Sequence, residues 1–245
     1  MRRALLTLQY IGTRYAGWQT QKNAISVQQV VESKLSSLCG QEVRVEGAGR
    51  TDSGVHAHGQ RAHVDIPIDI DARGLILSLN DRLPEDIRLR DVTWVDDSFH
   101  CRFVPSLKTY VYRIWNDIAA DVFLAPTHTH IRQELDATLM QQSAEAVAGR
   151  HDFRCYTVKD PEVASTIRTV HSLEILATGR TISITITADG FLRFMVRRIA
   201  GSLIEVGRRK QPPSIVSDAL EPRFGPARWT APAHGLTLQE VRYLE

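Results

Sequence analysis

The sequence runs to 245 residues, 43% hydrophobic and 24% charged, and its 30 Lys and Arg nearly balance 28 Asp and Glu for a net charge of +2. That is the composition of an ordinary globular protein, too apolar for a disordered chain and without an apolar run near the ~20 residues that cross a bilayer. The cysteines, Cys39, Cys101 and Cys155, lie far apart with no C-x-x-C pair, which argues against a disulfide framework or a cysteine-rich zinc site and leaves them as small packed thiols.

Residues 1–3 open with charge, but residues 4–10 alternate and are read as a strand, not a signal peptide, so a cytoplasmic location is expected. Ser26 followed by Gln29 has capping-box spacing, and Val27, Val30, Val31, Leu35 and Leu38 form the apolar stripe of a helix. Alternation then predicts strands over residues 42–46, 61–66, 88–95 and 109–115. A second helix is expected over 136–148, closed by Gly149. Strands over 170–177 and 181–188 follow, joined through Thr178-Gly179-Arg180 as a hairpin. The second of these alternates isoleucine with hydroxyl side chains. A third helix should run from 192 to 206 with Gly207 as its stop, and a short one from 214 to 220 after Pro212-Pro213. The stretch 221–234, rich in Pro, Gly and Arg, reads as a long surface loop before a last strand over 236–243.

Interspersed helices and half-buried strands argue for an α+β fold. The order suggests two related split-βαβ halves, residues 1–105 and 106–245, forming one continuous, mostly antiparallel sheet with helices on one face.

The most informative stretch is Ala48-Gly49-Arg50-Thr51-Asp52-Ser53-Gly54-Val55-His56-Ala57. It sets one carboxylate in a glycine-bounded turn without a second acid beside it. A lone acid cannot share acid and base duties as paired carboxylates do, but it can serve as a nucleophile. The same residues are also ordinary turn or helix-cap chemistry, and on spacing alone both readings stand.

Other candidates are fewer. His56, His58, His63 and Asp65 could gather a metal, or be hydrogen-bonded histidines; no H-E-x-x-H helix accompanies them. There is no G-x-S-x-G elbow for Ser53, no Walker A loop and no dinucleotide fingerprint. Tyr110 and Tyr112 share one face of a strand, either to stack on a base or to pack the core. Acids outnumber bases between Asp65 and Asp97, whereas Arg193, Arg197, Arg198, Arg208, Arg209 and Lys210 face only Glu205. That run is a basic cleft wall or a solvated helix face. Arg197 within it could hold a carboxylate ionised.

Four blocks, taken together, resemble the tRNA pseudouridine synthase A family. They are Tyr10-Ile11-Gly12-Thr13-Arg14-Tyr15-Ala16-Gly17-Trp18-Gln19-Thr20-Gln21 with Ser26-Val27-Gln28; Gly49-Arg50-Thr51-Asp52-Ser53-Gly54-Val55-His56-Ala57; Phe99-His100-Cys101-Arg102-Phe103 leading to Tyr110-Val111-Tyr112-Arg113; and Gly190-Phe191-Leu192-Arg193-Phe194-Met195-Val196-Arg197 with Gly201, Thr230-Ala231-Pro232 and Gly235-Leu236. They span nearly the whole chain in the family's order, and the second is the most specific. Two departures stand out: Ile11 where the family usually has Asp, and Leu107-Lys108-Thr109, less basic than is common before the tyrosine.

The resemblance implies isomerisation of uridine to pseudouridine at positions 38 to 40 of the tRNA anticodon stem-loop, by a cofactor-free homodimer with an RNA-binding cleft on the face of the sheet away from the helices. It implies Asp52 as nucleophile, Arg197 pairing with it, Tyr110 stacking on the target uracil, and Arg50 filling the space of the flipped nucleotide or holding its phosphate. The competing expectations are a non-catalytic RNA-binding module and a metal-dependent hydrolase built on His56, His58, His63 and Asp65.

Overall fold

The helices and strands form where the apolar periodicity changes. In a computed structural model describing residues 1–161, 163–221 and 225–244, the chain divides into two compact units. One comprises Met1–Ser106 with Leu238–Glu245, the other Leu107–Thr237.

The first unit contains β1 (Arg2–Tyr10), α1 (Val27–Cys39), β2 (Val45–Gly47), β3 (His56–Ile66), α2 (Ala72–Asn80) and β4 (Ile87–Val95). β1 runs antiparallel between β3 and β4, and β2 is antiparallel to the outer part of β3. Alternation along β1 sends Ala4, Leu6, Leu8 and Tyr10 into the core, with Val31 and Leu35 of α1 and Leu75 and Leu79 of α2 buried beside them. Thr7 and Gln9 fall on the opposite, more open face. Ser26 caps α1, its side chain accepting from the Gln29 amide. Two polar residues one turn apart on α1 then pin β2: Glu32 accepts from the Val45 amide at 3.0 Å, and Gln28 donates to the Val45 carbonyl at 2.8 Å. The helix thereby satisfies a strand edge that would otherwise be open.

α2 was not expected. Its sequence, Ala-Arg-Gly-Leu-Ile-Leu-Ser-Leu-Asn, has a glycine inside and Leu77 exposed, so no clean stripe marks it. The Asp71 side chain, which accepts from Gly74 at 2.6 Å, starts it.

The second unit contains β5 (Ser106–Asn116), β6 (Thr129–Ile131), α3 (Ala137–Ala144), β7 (Gly149–Asp152), β8 (Ile167–Thr178), β9 (Thr181–Ala188), α4 (Met195–Gly207) and α5 (Ser214–Asp218). The order β5-β9-β8-β7 is antiparallel throughout, and β6 joins β5 in parallel. β9 behaves as its alternation requires: Ile182, Ile184 and Ile186 are buried, with Met140 of α3 and Ile199 and Leu203 of α4 in the same core. α3 is shorter than expected. Its last turn tightens to 3-10 geometry over Glu145–Val147, and Gly149 begins a strand instead of merely ending a helix. α4 starts three residues late because Phe194 adopts a left-handed backbone, φ 64°, immediately before it.

The fold is α+β with mostly antiparallel strands, in line with the sequence. The last strand, β10 (Leu236–Tyr243), corrects the boundary between halves. From Leu238 it belongs to the first unit and neighbours β3, packing so closely that a Cβ on Gly59 would lie 2.8 Å from the Gln239 carbonyl. The expected loop over 221–234 lies partly outside the described residues, at 222–224; residues 225–232 form neither helix nor strand. Among the described residues no helix is long and apolar enough to cross a membrane.

Removing the α1 cap in Ser26→Ala should cost about 1 kcal/mol, a fall of roughly 2–4 °C in melting temperature for a chain of this size. Ser33→Ala, on the exposed part of the same helix, should be neutral or slightly stabilising in the same calorimetric comparison.

Candidate active site

In the first unit the acid loop is held by main-chain bonds and by side chains of the loop and its neighbouring strands. Asp52 opens a four-residue turn closed by the Val55 amide donating to the Asp52 carbonyl at 3.1 Å. Gly54, the third residue of that turn, has φ 79°, the value a type II turn demands there. The segment after β1 lies directly against it. The Gly54 amide and the Ser53 hydroxyl donate to the Tyr15 carbonyl at 3.2 and 3.3 Å. The Trp18 amide donates to the Thr51 carbonyl at 3.2 Å, and the Tyr10 and Thr51 hydroxyls meet at 2.9 Å in the core.

This approach needs residues without side chains. A Cβ on Gly17 would stand 2.4 Å from the Thr51 carbonyl oxygen and 3.1 Å from the Asp52 carbonyl carbon, and Gly17 has φ 85° besides. A Cβ on Gly12 would stand 1.9 Å from the Val55 carbonyl oxygen. The Gly12 amide donates to Nδ1 of buried His56 at 2.9 Å, so His56 is an acceptor that locks the start of β3. Asp52 is half-buried and Arg50 exposed. Tyr15 donates to Asp86 at 2.6 Å, and burial, reinforced by that bond to a carboxylate, pushes its phenol well above the ordinary range. Ile11, at the position of the departure noted above, donates its amide to the Asp86 carbonyl at 2.9 Å while the residue is exposed.

In the second unit, register places Tyr110 opposite Ile186 and Tyr112 opposite Ile184, so both tyrosines share the buried isoleucine face. Tyr112 is a core residue, its hydroxyl 2.6 Å from the Thr129 hydroxyl and donating to the Pro232 carbonyl at 3.1 Å. Tyr110 is also buried but lies nearer the strand's start, edge-on to Phe191 at 5.1 Å. Arg197 sits in the first turn of α4. Its Nε donates to the Ala231 carbonyl at 2.8 Å, and the Ala231 amide returns a bond to the Arg197 carbonyl at 2.9 Å. Its guanidinium also lies 5.2 Å over the Phe194 ring. Gly201 permits this pairing, since a Cβ there would meet the Trp229 carbonyl at 2.6 Å. Residues 229–232 therefore tie together the guanidinium and the tyrosine strand. Gly12, Gly17 and Gly201 stand in the family blocks without a task legible in the sequence: they allow close backbone approach, and Ala231-Pro232 supply the carbonyls that Arg197 and Tyr112 meet.

The basic run from Arg193 to Lys210 is not a continuous strip. Arg198 donates to the Thr157 carbonyl, Arg208 to Glu205 at 2.6 Å, and Arg209 to Asp136 at 2.8 Å. With Arg197 on the Ala231 carbonyl, four of these six cations have hydrogen-bond partners within the second unit, where α4 is buried along much of its length. The histidines too have structural partners: Nδ1 of His58 is 3.2 Å from the Gln9 amide group, Nδ1 of His63 is 3.2 Å from the Cys101 thiol, and Asp65 takes a bidentate bond from Arg3. Among the described residues no three His, Cys, Asp or Glu side chains converge as a metal site would require.

Comparison with known proteins shows the family. The family model described as tRNA pseudouridine synthase matches residues 7–104 and 144–244. The chain belongs to that family. The first matched stretch carries Arg50 and Asp52 and the second carries Arg197 and Ala231, whereas Tyr110 falls between the two. The tRNA pseudouridine synthase A of Myxococcus xanthus is 40% identical over 248 residues, covering 99% of this chain and 92% of the relative. That of Brevibacillus brevis is 40% identical over 244 residues, covering 99% and 100%. That of Ruminiclostridium cellulolyticum is 39% identical over 248 residues, again 99% and 100%.

Burial, with His100 and Arg3 nearby, depresses the basicity of His63 from 6.5, against weaker opposing effects of Glu46 and Asp65. Burial beside Arg113 does the same for His128. Below pH 6.5 the unfolded chain therefore takes up protons that the folded chain resists, and stability falls with acidification. The unfolding free energy from urea titrations should drop between pH 7 and 5 by no more than about 1.4 kcal/mol per pH unit for each histidine. His63→Gln should flatten that slope.

Proposed function

We propose that the chain isomerises uridine to pseudouridine at positions 38 to 40 of the tRNA anticodon stem-loop, with Asp52 as the nucleophile. The reading rests on family membership and above all on one observation: a single carboxylate carried on a turn whose geometry is dictated by backbone packing. The reaction breaks the glycosidic C1′–N1 bond, turns the uracil, joins C1′ to C5 and releases the C5 hydrogen as a proton, while N1 takes up a proton, so that the product is an isomer of the substrate. It calls for a nucleophile and a pocket that retains the base, not for a redox or phosphate carrier.

Asp52 attacks C1′ of the ribose or C6 of the base. Arg197 pairs with it and keeps it ionised once the pocket excludes water. The fixed orientation of that guanidinium, anchored through Nε to the Ala231 carbonyl, supports the role, since a bidentate fork must be aimed. Tyr110 stacks on the uracil, and Arg50, exposed beside the acid, occupies the space of the extruded nucleotide or meets its phosphate. Extrusion costs a few kcal/mol, which contacts to the RNA backbone offset, so binding weakens with salt. The active species is a homodimer in which one tRNA touches both protomers.

Asp52→Asn should abolish tritium release from tRNA labelled at uridine C5 while leaving tRNA affinity within about threefold. Turnover by that variant at anything near the wild-type rate defeats the nucleophile assignment. Arg197→Lys, which loses the planar fork, should lower kcat by roughly two orders of magnitude, as for loss of one transition-state charge contact, with little change in KM. Equal losses in both would make Arg197 a phosphate contact instead.

A further inference from the structure

The loop after β4 carries a feature that this chemistry does not use. His100 and Phe103 stack with ring centroids 4.2 Å apart and planes 27° from parallel, and His100 meets His63 edge-on at 4.7 Å. Phe103 is 75% exposed, so the stack covers one side of its ring and leaves the other to solvent. Arg102, its neighbour, is exposed as well.

A single exposed phenylalanine is ordinary, but this one is held in place. The Phe103 and Val104 amides donate to the His100 carbonyl at 3.0 and 3.2 Å. The Arg102 amide donates to His100 Nδ1 at 3.3 Å. Between them Cys101 is buried, its thiol donating to the Glu46 carbonyl at 3.1 Å and its carbonyl accepting from Tyr243 at 3.0 Å. Arg3 donates to the Phe99 carbonyl at 2.9 Å. With the loop anchored at these points, the ring pair has little conformational freedom left to lose on binding.

A preordered ring with one open face, next in sequence to an exposed arginine, is the chemistry that receives an unpaired nucleobase and its phosphate. The apolar surface is one ring flanked by cationic and imidazole groups, too small for the apolar core of a protein interface. We infer that residues 100–103 form a second RNA contact, in which an unpaired base of the tRNA stacks on Phe103 and Arg102 meets the adjoining phosphate. β3 gives the scale: His56 adjoins the acid loop and His63 adjoins His100, seven residues apart, or about 23 Å along a strand. The contact is thus remote from the reacting uridine and acts on affinity, not on the chemical step. This inference rests on the tRNA reading above.

The test measures tRNA binding and saturated turnover for wild type, Phe103→Ala, Phe103→Leu, Phe103→Trp and Arg102→Gln. Phe103→Ala and Phe103→Leu should each weaken binding about tenfold to a hundredfold, the worth of one base–aromatic stack, with saturated turnover unchanged. Phe103→Trp should restore affinity. Arg102→Gln should lower the slope of log affinity against log salt by about one. Full affinity in Phe103→Leu would mean apolar packing, as against a protein or a second copy, and overturns the inference. So does binding within twofold in every Phe103 variant while wild type converts its tRNA. A wild type that neither binds nor converts tRNA would instead remove the substrate reading itself.

Discussion

The arrangement depends most on the contact between the Gly17 backbone and the Thr51 carbonyl. Two stretches of main chain come close enough that a single added methyl would lie 2.4 Å from an oxygen. Backbone cannot rotate out of the way as a long side chain can, so the turn carrying Asp52 has almost no alternative course. The amides of Gly54 and Trp18 then complete the pairing from both sides. The course of the turn that carries the acid is in this way set by covalent geometry and backbone hydrogen bonds. Preorganisation of this kind is what the nucleophilic role proposed for Asp52 requires.

A related device operates in the second unit. Gly201 lets residues 229–231 lie against α4, and two reciprocal bonds with Ala231 fix Arg197. The next carbonyl, that of Pro232, takes the Tyr112 hydroxyl. One extended segment without regular structure thus aligns a helix terminus with a strand. Phe194, left-handed at φ 64° before α4, adds a conformation that a bulky side chain rarely adopts, and such strain concentrates where a site must be shaped.

How much of this could be read from sequence depended on whether the signal was local. Ser26, the isoleucine alternation of β9 and the two-residue link at Gly179-Arg180 depend only on near neighbours, and each emerged as expected. α2 escaped because its burial is supplied by β4, with Leu75 and Leu79 inside and Leu77 outside, a pattern too short to show a stripe. The return of β10 to the first unit is a long-range event that no local pattern encodes. In the acid loop the spacing of Gly12, Gly17 and Asp52 was visible, but not that the glycines serve the acid. The basic run misled for the opposite reason: charge counted along the chain does not reveal that Asp136 and two carbonyls wait in space for Arg209 and Arg198.

The most direct measurement is therefore on Gly17→Ala, held at a temperature where unfolding curves show it folded. If backbone packing positions the acid, its turnover at saturating tRNA should fall at least tenfold with tRNA affinity little changed. Wild-type turnover from the folded variant would contradict the account.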